Sequence, residues 1–149
     1  GLTRRVAIAS TQYLEQHPAP KTPAALASHN CILYQPSGSE WHFVDKTKKG
    51  PAKKDIRVSV SGNFQVDNSV AIRDAVLCGL GIGLMPVWLF GDLMQSSDLC
   101  VLLQNYQPQP LPIQIVYRRG RFIAAKTKCF IDYLSHEFEL DPWVSNYGV

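Results

Sequence analysis

The sequence has no Cys-x-x-Cys pair, and its four cysteines, Cys31, Cys78, Cys100 and Cys129, stand far apart among apolar neighbours. That spacing excludes a zinc ribbon or a dithiol redox site. It reads instead as reduced thiols packed as small hydrophobes, the usage of a cytosolic protein. Excess charge of one sign is also scarce: 15 Lys plus Arg against 12 Asp plus Glu leave a formal +3. So small an excess argues against a dedicated nucleic-acid binder and, with 46% hydrophobic residues, against disorder. No apolar run is long enough to cross a bilayer, and GLTRRVAIAS turns polar too soon for a signal peptide. The chain reads as soluble.

The apolar residues that are present suffice for one domain or two small lobes in 149 residues. Arg4 to Ala9 reads as a strand and Thr11 to His17 as a short helix stopped by Pro18 and Pro20. Ala24 to His29 is a further short helix, with Thr22 placed to cap it and Pro23 at its first position. Strands follow at Cys31 to Tyr34, Trp41 to Val44, Ile56 to Ser61 and Phe64 to Val66. Trp41 and Phe43 alternate and should pack one buried face, with His42 pointing the other way. The lysine-rich DKTKKGPAKKD reads as a solvated hairpin loop; it lacks the interleaved aromatics of a DNA-binding patch. NSVAIRDAVLCGLG is the clearest helix, with a polar start at Asn68 or Ser69 and a left-handed stop expected at Gly81. Ile82 to Met85 is then a buried strand, Pro86 opens a helix over VWLFGDLMQ, and Leu99 to Leu103 and Ile113 to Tyr117 are strands. Ala124 to Leu140 is an amphipathic helix with Thr127, Phe130, Ile131, Leu134 and Phe138 on one face and a Lys128–Asp132 pair on its surface. Strands alternating with helices make the chain α/β, with parallel or mixed sheets.

The motifs assign no catalysis. GLGIG, Gly79 to Gly83, follows a helix and enters a strand, the reverse of a phosphate-cradling loop, so it serves close helix–strand packing. PSGSEW lacks the nucleophile elbow of a hydrolase, and its serines read as turn residues. His17, His29, His42 and His136 share no metal-ligand spacing; His17 and His29 sit at the ends of short helices, where a cation meets free carbonyls, and His136 pairs with Asp132. No catalytic residue, metal or cofactor is expected.

In order along the chain, VAIASTQYLEQHPAPKTPAALASHNCILY, WHF, VSVSGNFQVDNSVAIRDAVLCGLGIGLMP and LPIQIVYRRGRFIAAKTKCFIDYL resemble the effector-binding domain of a LysR-type transcriptional regulator. The resemblance runs from Val6 to about Phe138 and rests on the A-S-x-x-Y-L segment, the GLGIxLxP turn and the K-x-x-x-F-I-D-Y-L helix. It implies a periplasmic-binding-protein-like, two-lobed fold with mixed sheets. Residues 1–9 would be a first-lobe strand and crossing, 10–110 a complete second lobe, and 111–149 a crossing strand and the C-terminal part of an incomplete first lobe. The family's helix-turn-helix and the opening units of its first lobe are absent from the chain. Asp67-Asn68-Ser69 also stands where relatives often carry Asn-Asp-Gly or Asn-Ser.

The function implied is small-molecule sensing in the interlobe cleft, coupled to DNA binding elsewhere in the full protein. A solute-binding protein of a transport system is the alternative. The effector would contact Ser10, Thr11, Phe64, Asp67, Asn68, Ser69, Met85 and Pro86, with Asn68 equally able to serve as a plain helix cap. An anion would suit helix N-terminal amides. A homo-oligomer is expected, and no membrane partner.

Overall fold

The computed structural model describes residues 1–48, 55–117 and 124–141. The chain divides into two compact units, Arg5–Gln109 and a smaller one of Gly1–Arg4 with Pro110–Val149. The division falls between Arg4 and Arg5, whereas a boundary after Ala9 was expected. The reason is pairing: β2 (Arg5–Ser10) is hydrogen-bonded on both sides within the larger unit.

The elements of the larger unit, in chain order, are β2, α1 (Thr11–Gln16), a 3-10 turn (Pro23–Ser28), β3 (Cys31–Tyr34), β4 (Glu40–Asp45), β5 (Asp55–Ser59), β6 (Gln65–Val66), α2 (Ser69–Leu77), β7 (Ile82–Pro86), β8 (Leu99–Leu102) and β9 (Tyr106–Pro108). Five strands form a mixed sheet in the order β6-β3-β7-β2-β8. β3 is parallel to β6 and β7, while β2 runs antiparallel to both β7 and β8. β5-β4-β9 form a separate antiparallel sheet.

Strand alternation builds two cores from one sheet. Ala7, Ala9, Cys31, Leu33, Ile82, Leu84 and Leu102 project from one face and meet Trp41, Phe43 and Val58 of the three-stranded sheet, with Tyr13 and Leu26 alongside. Val6, Ile8, Ile32 and Met85 project from the other face and meet Ile72, Ala75 and Val76 of α2. Trp41 and Phe43 are buried as their alternation requires, and half-buried His42 points outward to Glu40 at 2.9 Å. Burying side chains of this size stabilises by about 1.5–3 kcal/mol each, so this double core holds the sheet whose ends carry the candidate site.

Several local expectations are corrected. α2 ends at Gly79, not Gly81: Gly79 has φ +75°, its N–H bonds Val76 O (3.0 Å), and Leu80 N–H bonds Ala75 O (3.0 Å), a Schellman closure. Gly81 is needed for a different reason, because a Cβ there would collide with the Asn30 carbonyl. VWLFGDLMQ forms two short 3-10 turns, Val87–Leu89 and Gly91–Gln95, broken where Gly91 adopts φ +44°, and Pro86 closes β7 instead of opening a helix. Pro23–Ser28 is 3-10 and not α, and Thr22 makes no side-chain cap. The lysine loop lies in part outside the described residues.

In the smaller unit, β1 (Leu2–Thr3) pairs antiparallel with β10 (Leu111–Pro112). Gly1 and Ile113 extend this ladder by one exchanged pair, Ile113 N to Gly1 O at 2.8 Å and Gly1 N to Ile113 O at 3.1 Å. The strand expected over Ile113 to Tyr117 is therefore displaced to Leu111–Pro112, and residues 114–117 find no strand partner among the described residues. α3 (Ala125–Leu140) forms as expected, with Thr127, Ile131, Leu134 and Phe138 half-buried on one side. Phe130 departs from that stripe and is 60% exposed. The expected surface pairs of Asp132 with Lys128 and His136 do not form among the described residues.

Candidate functional site

β3, β6 and β7 run in one direction and finish together at Tyr34, Val66 and Pro86. Arg5, the first residue of the opposed β2, pairs with Pro86 at the same end. α2 starts there too, two residues beyond β6. In open α/β sheets ligands bind outside the carboxyl ends of the parallel strands, because the loops leaving those ends diverge and the next helix presents its N-terminal amides there.

The polar groups at this end follow from the cap of α2. Asn68 Oδ1 accepts from Val70 N (2.9 Å) and Ala71 N (3.1 Å), which settles the capping role left open by the sequence. Two amides that an anion would otherwise use are thereby occupied. What remains among the described residues is donor-rich: the Asn68 side-chain NH2, the Ser69 N–H and hydroxyl, and the phenol of half-buried Tyr34. Exposed Asp67 precedes them. The apolar ground is supplied by half-buried Phe64, Val66 and Pro86 over Met85, which is 3% exposed and belongs to the core floor. Arg5 brings a cation to this end and donates from Nε to Gln109 O at 2.7 Å.

Six of the eight residues named from the sequence thus share one end of the sheet: Phe64, Asp67, Asn68, Ser69, Met85 and Pro86. Ser10 and Thr11 do not join them. They lie at the far end of β2, beside the C-terminal turn of α2, where a Cβ on Gly79 would come within 3.5 Å of Ser10 Oγ. Their polar groups are consumed locally. Buried Ser10 caps α1 by accepting from Tyr13 N (3.3 Å), and Thr11 donates from N to Asp98 O (2.9 Å) and from Oγ1 to Ser97 O (2.7 Å). The resemblance grouped these segments, but the antiparallel direction of β2 separates them, and direction cannot be read from a strand's own residues. Tyr34 and Arg5 were missed, although the run CILY already placed a polar aromatic at a strand's end.

Elsewhere two ionisable groups, Cys31 and Asp45, serve structure. Burial pushes the Cys31 thiol up to about 12. The Asp45 carboxyl is held low by the Thr47 hydroxyl (2.6 Å) and backbone N–H (2.9 Å), with Lys48 at 3.8 Å adding to it. Among the described residues no group of three or more His, Cys, Asp or Glu is placed to hold a metal, and no helix is long and apolar enough to cross a membrane.

Sheet order, two apolar layers and a capped helix at the strand ends define a mixed-sheet α/β domain, and solved regulatory domains share its fold. The regulatory domain of AphB from Vibrio vulnificus, treated with cumene hydroperoxide, matches with TM-score 0.74 and 25% identity over 90% of this chain and 65% of its own. Full-length AphB, a virulence activator of Vibrio cholerae, matches with TM-score 0.65 and 26% identity over 74% of this chain and 36% of its own. The chain belongs to the LysR substrate binding domain family, whose model matches residues 1–139. Among curated relatives, the uncharacterized HTH-type transcriptional regulator YcaN of Escherichia coli is 25% identical over 85% of this chain and 40% of its own length. The chain spans about two fifths of the length of such relatives.

Proposed function

We propose that this domain senses a small, acceptor-rich molecule, a carboxylate being the simplest, at the end of the larger unit where α2 starts. The observation that carries the reading is the common finish of β3, β6 and β7 beside the donors of Asn68, Ser69 and Tyr34. Phe64, Val66 and Pro86 would flank the ligand, and Arg5 would favour negative charge. Binding would act by stabilising one conformation over another, without catalysis. In the full protein this bias would regulate DNA binding by a helix-turn-helix outside this chain, within a cytoplasmic homo-oligomer. The family and its HTH-type relatives favour sensing over solute transport.

The test is a thermal-shift screen of small carboxylates, repeated on Asn68→Asp and Thr11→Val. Asp caps a helix as well as Asn does but replaces the donor NH2 with a charge that repels anions. A hit should lose at least about tenfold in affinity in Asn68→Asp, equivalent to about 1.4 kcal/mol, and be unchanged in Thr11→Val. The opposite pattern would move the site to the other end of the sheet.

A further inference from the structure

The end of the sheet opposite the candidate site carries three ionisable rings that the sensing reading does not use. Tyr13 belongs to α1, His17 follows its last residue, and His29 ends the 3-10 turn that leads into β3. The ring of His17 stacks on that of Tyr13, with centroids 4.4 Å apart and planes at 11°, and its Nδ1 donates to the Tyr13 carbonyl at 3.1 Å. The His29 ring lies 6.5 Å from that of His17.

The protons in this cluster can be assigned. Asn30 N–H donates to Tyr13 Oη at 3.2 Å, and the phenol's own proton finds one acceptor among the described residues, His29 Nδ1 at 3.1 Å. That pairing requires a neutral His29 with its proton on Nε2. A proton taken from solvent onto Nδ1 would face Tyr13 Oη, and the phenolic hydrogen would be left without an acceptor on a residue only 3% exposed. A buried donor left unpaired is destabilising, and that favours opening of the turn.

We propose that Tyr13, His17 and His29 form a proton-operated latch, in which protonation of His29 breaks its bond to Tyr13 and releases the Asn30 segment from α1. Among the described residues the salt bridges include none with His17 or His29, and the one charged residue of α1, Glu15, is exposed. On β3, the Cys31 thiol is kept neutral by burial. On β5, which packs against the 3-10 turn, Asp55 and Arg57 alternate to the outward face and pair there with each other, Glu40 and His42. On β2, the one charged residue is Arg5, at the far end of the strand. Burial first, and then the imidazole of His17, hold His29 below the ordinary histidine value.

The sign follows. His29 binds its proton more readily unfolded than folded, so its contribution is complete above about pH 6.5 and is lost as pH falls from there through the lower folded value. Release reaches beyond the turn. The Asn30 side chain donates to Asn63 Oδ1 (2.9 Å) and to Leu80 O (2.6 Å), next to the closure of α2.

Nitrogen-15 NMR of the imidazoles and hydrogen exchange of the Asn30 amide test the latch in this chain. At pH 8 His29 should show the Nε2–H tautomer. On acidification to pH 5 the Asn30 protection factor should fall about tenfold for each pH unit by which His29 titrates below its ordinary value. His29→Asn keeps an acceptor near the phenol and should abolish this pH dependence, while His17→Gln should raise the pH at which His29 titrates. An Nδ1–H tautomer at pH 8, pH-independent protection in the unmodified chain, or the same pH dependence in His29→Asn would each overturn the proposal. The first two readouts need no variant, so misfolding of a mutant cannot shelter it.

Discussion

Removing the Asn30 side chain should unfasten three loops at once. Asn30 donates to Asn63 Oδ1 and Leu80 O and accepts from Asn63 N at 2.9 Å, tying the entry of β3 to the loops before β6 and before β7. At about 0.5–1.5 kcal/mol net per hydrogen bond, three bonds give roughly 1.5–4.5 kcal/mol. Asn30 is only half-buried, so water replaces part of the loss and the lower half of that range applies. Asn30→Ala should then lower Tm by roughly 3–12 °C, given about 2–4 °C per kcal/mol for domains of this size. Asn63→Ala removes the side-chain bond to Asn63 and leaves the Leu80 bond, so it should cost less. The double variant should match Asn30→Ala to within about 0.5 kcal/mol, because the partners share one network. Urea unfolding at fixed pH would measure all three, with an unchanged m-value showing that stability alone has moved. Strict additivity of the two single changes, or a loss below about 0.5 kcal/mol in Asn30→Ala, would show that these bonds do not hold the loops.

The Asp45 carboxyl, held low by Thr47, contributes stability that is full above the ordinary carboxylate value near pH 4 and is lost as pH falls through its lower folded value. Asp45→Asn should therefore flatten the acid limb of a urea-midpoint titration, and an unaltered limb would refute the assignment. Leu103 adopts φ +55° while 7% exposed. Leu103→Ala should lose about 2–5 kcal/mol of packing, whereas Leu103→Gly, which removes the same contacts but relieves the left-handed backbone, should be more stable than the Ala variant by about 1 kcal/mol in chemical denaturation. Cys78 and Cys129 are exposed and Cys31 is buried with its thiol pushed up to about 12. A thiol-specific disulfide reagent at pH 8 should label the first two quickly and leave Cys31 unlabelled until unfolding.

How much of this was legible depended on whether the signal was local. The pattern WHFV fixed a buried and an open face, and the polar start at Asn68 fixed the cap of α2, because each follows from spacing along a few residues. VWLFGDLMQ misled for the same reason: its apolar spacing suits a helix, and only the backbone shows Gly91 turning left-handed within it. Gly81 illustrates a different limit. A glycine after a helix suggests its stop, yet Gly79 makes the stop and Gly81 gives way to the Asn30 carbonyl, a contact between segments far apart in the sequence. The division of the eight expected site residues between two ends of one sheet is likewise a property of strand direction, which emerges only when β2 has chosen its partners.

That choice has a temporal side. β2 is paired with β7 and β8, with Ile8 opposite Gly83 and Val101, and β1 pairs with β10 at Leu111 and Pro112. At about 5–20 residues per second, a ribosome takes roughly 4–14 seconds to run from β2 to β7, and through that interval an apolar strand emerges with neither neighbour made. An interior strand drawn from the front of the unit makes the fold slow to nucleate, since distant pairings must be brought together before they are rewarded. The period before those partners exist is when the apolar VAIAS strand is open to non-native pairing.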